Sequence, residues 1–381
     1  MCVRARPEWP VIEGVIRMAP TSIIPSRRGR ADGNSRRPGP RFWFLAVIVW
    51  MSLLGAPAVL AHEKWFHDAR PYPTSWVEAV RFPGIIGVVL ALAAVAGLAI
   101  LWRFRGGRDL IPGPQVLGAT TEGRERFYAL VPLILGIHAG LPLIVLGIRG
   151  ELFSPNNQIP GAWLYWVGVA QIGIGLCFLY GGLTRLAGAA LGVLWLAGAV
   201  LFGLEAMLEN VHYLGFALFF FLAGRGPYAV DRLLFPALEP APHLVTRAMP
   251  VLRIATALGF VVVAFTEKLA NPALVTAFLQ QHPLNFTSWM GLPMSDSLFA
   301  LCAGTTELVI GLALVLGLFP RVIIGTAWLF INMTLTLFSW VELLGHLPLY
   351  GVMGVLLIWT PDRDDQDLWV RGILGPPRPR M

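Results

Sequence analysis

Two short stretches set carboxylates and imidazoles at helical intervals. Glu205, Glu209 and His212 stand at i, i+4 and i+7, and Glu342 and His346 at i and i+4, so each set lines one face of a continuous helix. Imidazole and carboxylate together ligate copper, zinc or iron, and two converging sets would make a metal site. The plainer alternative is polar side chains gathered where a span meets water. A third stretch, "HEKWFHDARPYP" from His62 to Pro73, adds His62 and His67. Cleavage before His62 would give an amine, its ring nitrogen and His67 as three nitrogens for Cu(II). The competing reading makes Trp65, Phe66, Tyr72 and Trp76 an aromatic interfacial belt, with the histidines as polar companions.

A deeper set, His138, Gln171, Glu307 and Asn332, falls near the middle of apolar runs, and Glu267 sits beside Lys268 at the outer end of another. An ionisable group at the bilayer centre costs about 2.5 to 3.5 kcal/mol on insertion scales, so it needs a partner or a purpose. Two purposes are open: a buried proton or cation site or quinone-facing acid, and a hydrogen-bonded carboxyl that ties helices together. His243 and His282 are loop residues with no assigned role.

The elements that hold these groups follow from composition. A chain of 381 residues that is 56% hydrophobic and 13% charged is too apolar for a soluble protein. It belongs in a lipid bilayer. The net charge of +7 comes from arginines in short loops between apolar runs, which orients a membrane protein and excludes nucleic acid as a partner. Three cysteines, Cys2, Cys177 and Cys302, form no CxxC pair, and the last two differ too much in depth to bridge. No haem, Walker, HExxH or nucleotide fingerprint occurs, so no independent catalytic activity is expected.

Runs near the length of about 20 residues that crosses a bilayer lie at 42-61, 82-102, 127-148, 161-182, 186-204, 211-224, 249-270, 298-318, 322-340 and 346-360. Nine arginines before the first run, five in 103-126, and others at Arg185, in 225-248 and in the tail all fall on one side. Positive-inside bias makes that side cytoplasmic, with both termini there and 62-81 outside. Residues 1-41 form a disordered basic N-terminus and 42-61 a signal peptide or signal anchor. An extracytoplasmic segment 62-81, a transmembrane helix 82-102 and a cytoplasmic loop 103-126 follow. A first four-helix repeat (127-232), a second (249-360) and a cytoplasmic tail (361-381) complete the order.

The repeat shows when the chain slides against itself by 136 positions. "QIGIGLCFLYGGLTR" from Gln171 then meets "ELVIGLALVLGLFPR" from Glu307, with Gly181 on Gly317, Arg185 on Arg321 and Gly215 on Gly351. Each copy has an even number of spans, so the copies run parallel. The expected fold is an all-α membrane protein of two tandem parallel four-helix transmembrane bundles, preceded by a signal peptide or anchor and one extra transmembrane helix.

The second repeat, through "VLRIATALGFVVVAFTEKLANP", "LCAGTTELVIGLALVLGLFPR" and "LGHLPLYGVMGVLLIW", resembles the DoxX/DoxD-like family of small four-helix membrane proteins. "AHEKWF" is similar to the post-leader segment of some bacterial membrane proteins with such bundles. The resemblance implies a bacterial inner-membrane protein that partners redox proteins in redox or quinone-linked metabolism. Arg253, Glu267, Lys268, Glu307 and Arg321 occupy matching motif positions. Glu307 and Glu267, assisted by His138, would handle protons or hold a quinone headgroup. A copper- or metal-handling protein using His62, His67, Glu209, His212, Glu342 and His346 is the alternative, and a structural assembly factor a third. Quinone and copper both stay open as cofactors.

Overall fold

In the computed structural model, residues 62–235, 238–287, 291–359 and 363–375 are described. The expected signal or anchor segment 42-61 and the basic stretch 1-41 lie outside them. Every regular element among the described residues is helical, and one isolated antiparallel bridge, Glu151 with Gln158, is the only extended pairing.

Two short helices, α1 (Glu63–Phe66) and α2 (Trp76–Val80), precede α3 (Gly84–Phe104), α4 (Thr121–Arg149), α5 (Leu164–Tyr180) and α6 (Thr184–Phe202). Then come α7 (Leu204–Glu209), α8 (Val211–Ala223), α9 (Val230–Leu234), α10 (Pro242–Val263), α11 (Pro272–Gln281), α12 (Asp296–Leu316), α13 (Pro320–Ile358) and α14 (Arg363–Leu374). Six of the described stretches are long and apolar enough to cross a membrane: Gly84–Phe104, Thr121–Arg149, Thr184–Phe202, Pro242–Leu269, Asp296–Leu316 and Trp340–Ile358. Leu164–Tyr180, Val211–Ala223 and Pro320–Leu335 are shorter apolar helices. The apolar runs from 82 onward each fall on one of these helices.

Local signals set the ends. Thr120 caps α4 by accepting from the Gly123 N–H at 3.0 Å, and Gly150 closes it with a left-handed φ of 75°. Ser295 caps α12 in the same way, through the Leu298 N–H. Close approach between α4 and α5 depends on missing side chains. A Cβ added at Gly140 would stand 2.7 Å from the Gly175 carbonyl oxygen, and one at Gly175 would meet the Gly140 carbonyl equally closely. Such small-residue contacts let backbones pack where lipid supplies no hydrophobic drive.

Helix α13 is helical from end to end in backbone terms, yet it doubles back. Arg321 Nε donates to the Leu357 carbonyl at 3.0 Å and the Tyr350 hydroxyl to Asn332 Oδ1 at 3.3 Å. At about 1.5 Å rise per residue a straight helix would hold the first pair roughly 54 Å apart. Its two arms therefore lie side by side, as the separate runs 322-340 and 346-360 require.

Equivalent geometry recurs at the 136-residue shift. Arg185 Nε donates to the Phe221 carbonyl at 2.9 Å, the counterpart of Arg321 to Leu357. Gly181 and Gly317 both take positive φ, at 66° and 68°, and so do the non-glycine residues two places on, Leu183 and Phe319.

The tail segment is a packed helix. On α14, Leu368, Trp369 and Ile373 are buried, the Trp369 indole N–H donates to the Val245 carbonyl at 2.8 Å, and Asp365 accepts from Tyr128 and Arg124 of α4. Cys177 and Cys302 are both free thiols.

Candidate functional site

After Val263 the helix α10 widens into one π-helical stretch, Ala264–Leu269. Such widened turns are rare and often stand at functional sites. This one carries Thr266, Glu267 and Lys268 on consecutive positions, all buried.

Against this stretch lies α1. The Glu63 backbone N–H donates to Glu267 Oε2 at 2.6 Å, and His62 Nδ1 stands 3.2 Å from Glu267 Oε1. Lys268 Nζ lies between two acids, 3.0 Å from Glu63 Oε2 and 3.2 Å from Glu307 Oε2. From the other half of the chain, Glu209 and Glu205 on α7 receive Lys64 Nζ at 2.5 and 3.1 Å. The Thr74 hydroxyl donates to the same Glu205 oxygen at 2.6 Å. Segment 62–75 thus clamps α7 to the π-helical stretch. Ser75 N–H to the Ala270 carbonyl and Asn271 Nδ2 to the Tyr72 carbonyl, both 2.9 Å, fix its far end.

Imidazoles complete the cluster. The His62 ring stacks on Trp65 at 4.1 Å and lies 5.3 Å from the His346 ring. His346 Nδ1 is 3.4 Å from Glu342 Oε1, and that oxygen accepts from the Thr334 hydroxyl at 2.6 Å. His62, His212, His346, Glu209 and Glu307 line one void of about 20 Å³, room for about one water molecule. Its polar wall is incompletely satisfied: among the described residues, His212 Nε2, Thr256 Oγ1 and His346 Nδ1 have no hydrogen-bond partner.

Outside the spans, electrostatics can be stated group by group. Burial, aided by Lys268 and Lys64, pushes His62 down from 6.5 to about 3, so its ring is neutral. Burial raises Glu63 well above the usual carboxylate range and outweighs Lys268, and a hydrogen bond with Glu267 adds to the rise. Burial likewise raises Glu209 against the pull of Lys64. Lys64 loses to burial but gains more from Glu209, Glu267 and Glu205, and ends above its ordinary value.

The cluster merges two sets that the sequence separates. Glu267 and Glu307, expected in a deep proton or quinone site, join His62, Glu205, Glu209, His212, Glu342 and His346, expected in an outer metal site. His138 does not join them. Its Nδ1 bonds the Ile134 carbonyl of its own helix at 2.7 Å and its ring packs where Gly351 leaves space. Gln171 is buried and tied to the Leu143 and Glu151 carbonyls at 3.0 Å each. Asn332 is exposed and bonds the Trp328 carbonyl. His67 meets Gln281 Oε1 at 3.0 Å, away from the void. Arg253 and Arg321 stand at the opposite end of the bundle.

The aromatic-belt reading of this segment needs correction. Trp65 and Phe66 face inward, Phe66 stacking on Phe338 at 4.3 Å, while Trp76 is exposed. Sequence reasoning missed Glu63 and Lys64 as cluster members, although adjacent charges between histidines and aromatics in "HEKWF" are an unusual composition for a solvated loop. Among the described residues no three His, Cys, Asp or Glu donors stand where they would together hold a metal ion. No protein family, no curated protein and no solved structure matches the chain.

Proposed function

We propose that this protein is a DoxX-like membrane partner in redox or quinone-linked metabolism, and that its Glu/His/Lys cluster stores and passes protons at the outer face. The observation that carries this reading is charge stoichiometry. Five buried carboxyl groups, Glu63, Glu209, Glu267, Glu307 and Glu342, and the part-exposed Glu205 face two ammonium groups, Lys64 and Lys268. The His62 ring, neutral, does not balance them. Buried carboxylates in such excess cannot all ionise, since like charges in a low-dielectric site hold protons on some members. The void beside Glu307 and His346 has room for a water to relay protons but not for a quinone ring. Glu267 and Glu307 therefore handle protons, and a quinone would meet the protein elsewhere or through its partner.

The wider frame of the reading is a bacterial inner membrane, cytoplasmic termini and segment 62-81 outside, supported by the placement of arginines. Two tandem parallel four-helix bundles are supported by the repeated Arg185–Phe221 and Arg321–Leu357 hydrogen bonds. Infrared spectroscopy of the purified protein across a pH series tests the proton reading. Protonated buried carboxyl bands that titrate, and that change in Glu307→Gln, are expected; bands absent at every pH would refute it.

A second reading rests on one specific observation, three imidazoles on the wall of one acid-rich void. A small rearrangement would let His62, His212 and His346 converge on copper or another divalent ion that imidazole favours. Stoichiometric metal in the purified protein, lost in His212→Ala and His346→Ala, would favour that reading over proton storage.

A further inference from the structure

At the end of the bundle remote from α1, four arginines surround a cavity of about 580 Å³. Arg253 lies 14 residues before Glu267, about 21 Å along the helix at 1.5 Å per residue. The loop after α3 brings Arg105 and Arg108, and the start of α13 brings Arg321.

Among the described residues, bases outnumber acids on the cavity wall. Among the described residues Asp109 is the one carboxylate on the cavity wall, and it accepts from the backbone N–H groups of Arg321 at 2.8 Å and Ile111 at 3.3 Å. Arg105 turns its guanidinium to the carbonyls of Arg108 and Asp109, both at 3.3 Å, and Arg321 Nε is taken by the Leu357 carbonyl. Arg253 makes no hydrogen bond or ion pair among the described residues, and its buried Nε has no acceptor. Its guanidinium lies over Gly317, where any Cβ would collide with it. Trp359, 7% exposed, lines the same cavity with its indole N–H unpartnered. One margin is apolar and open, with Leu110, Ile111 and Val116 exposed by 37, 44 and 79%.

We propose that this cavity binds a phosphate-bearing anion. The phosphoryl oxygens sit on Arg253 and Arg321, with Arg105 and Arg108 at the rim. Guanidinium is the side chain whose planar fork matches phosphate. Basic pockets between membrane helices hold lipid headgroups in the same manner. The exposed apolar margin suits the acyl chains of an anionic phospholipid; a free phosphate ester would use the arginines alone.

The test uses the full-length protein in detergent, with thermal stabilisation followed against phosphatidylglycerol, phosphatidylcholine and inorganic phosphate, and retained lipid counted by native mass spectrometry. Stabilisation and retention by phosphatidylglycerol but not phosphatidylcholine, weakened about tenfold in Arg253→Gln and unchanged in Arg103→Gln on the exposed face of α3, is the expected result. Stabilisation by inorganic phosphate with the same Arg253 dependence, but no retained lipid, supports the site with a soluble phosphate as its source. Arg253→Gln removes no bond among the described residues, so its fold is expected to survive. Equal response to all three probes, or phosphatidylglycerol binding in Arg253→Gln at the wild-type level, overturns the proposal.

Discussion

Glu63 and Glu267, 204 residues apart in the chain, meet through a 2.6 Å hydrogen bond from the backbone N–H of the first to a carboxylate oxygen of the second. The bond joins the turn that opens the described chain to the π-helical end of α10. Around it stand His62, Trp65, Lys268 and His346. Docking of segment 62–75 and assembly of the cluster are therefore one event: the turn supplies His62, Glu63 and Lys64, and the helices supply the groups that receive them.

Replacing Glu267 separates its two roles. In Glu267→Gln a side-chain carbonyl still accepts from the Glu63 N–H, so a modest loss of about 1 kcal/mol is expected, in the range for one hydrogen bond. Glu267→Ala leaves the Glu63 N–H and His62 Nδ1 without their acceptor and removes an acid beside Lys268. A loss of about 3 to 5 kcal/mol follows, as for breaking a buried ionic network. Thermal unfolding in detergent, with retention of segment 62–75 checked by limited proteolysis, measures both. Equal losses in the two variants would refute the division.

Lys268 offers a sharper test because two acids depend on it. Lys268→Met leaves Glu63 and Glu307 facing one another without the ammonium that lies 3.0 and 3.2 Å from them. The single variant is expected to be severely destabilised. Adding Glu307→Gln removes one uncompensated charge, so the double variant should recover part of the stability, with a coupling energy of about 1 to 3 kcal/mol. Strict additivity in the double-mutant cycle would show that the two side chains do not interact.

How far the sequence alone reached depends on which physical signal each feature leaves in it. Apolar runs report bilayer length directly, so Gly84–Phe104, Thr121–Arg149 and Asp296–Leu316 coincide with runs visible by eye. Spacing of i, i+4 reports a shared helix face, and Glu342 with His346 are indeed neighbours. Depth along a span, by contrast, gives height but not azimuth. His138, Gln171 and Asn332 share a level with Glu307 in the sequence, yet point to their own backbone, to an interhelical tie and to the exterior. The π-helical register that buries Glu267 beside Lys268 has no composition signature. The contact of Glu63 with Glu267 is non-local, so no window of neighbouring residues contains it. A polar 361-381 read as a tail because its apolar stripe, Leu368, Trp369 and Ile373, is too sparse to register as a span.

Gly345 gives a steric probe of the docked turn. A Cβ at this position would overlap the Trp65 ring, and that ring stacks on His62. Gly345→Ala is expected to push Trp65 outward and carry His62 away from Glu267 and His346. The helix itself should tolerate the change, since alanine is the better helix former. Faster proteolysis between His62 and Thr74 and a red-shifted tryptophan emission are the expected readouts. Unchanged proteolysis would mean that the turn is held without Trp65.

Acid stability carries the last test, and the sign follows from His62. Its ring is held down at about 3 against 6.5 in an unfolded chain. Between those values the unfolded form binds the proton and the folded form does not, so stability falls as pH drops from about 6.5 toward 3 and levels off below. Lys64 and Lys268 press in the same direction, while Glu267 faces the ring as acceptor. Glu63 works the other way. Its carboxyl is held above the usual 4.5, so the stability it contributes is present below that pH and is lost as pH rises through the raised value. His62→Gln should flatten the acid limb of the stability profile and leave the alkaline limb, and Glu63→Gln the reverse. A profile measured by thermal unfolding from pH 4 to 9 separates them, and an acid limb of wild-type steepness in His62→Gln would show that another group, not this imidazole, takes up the proton.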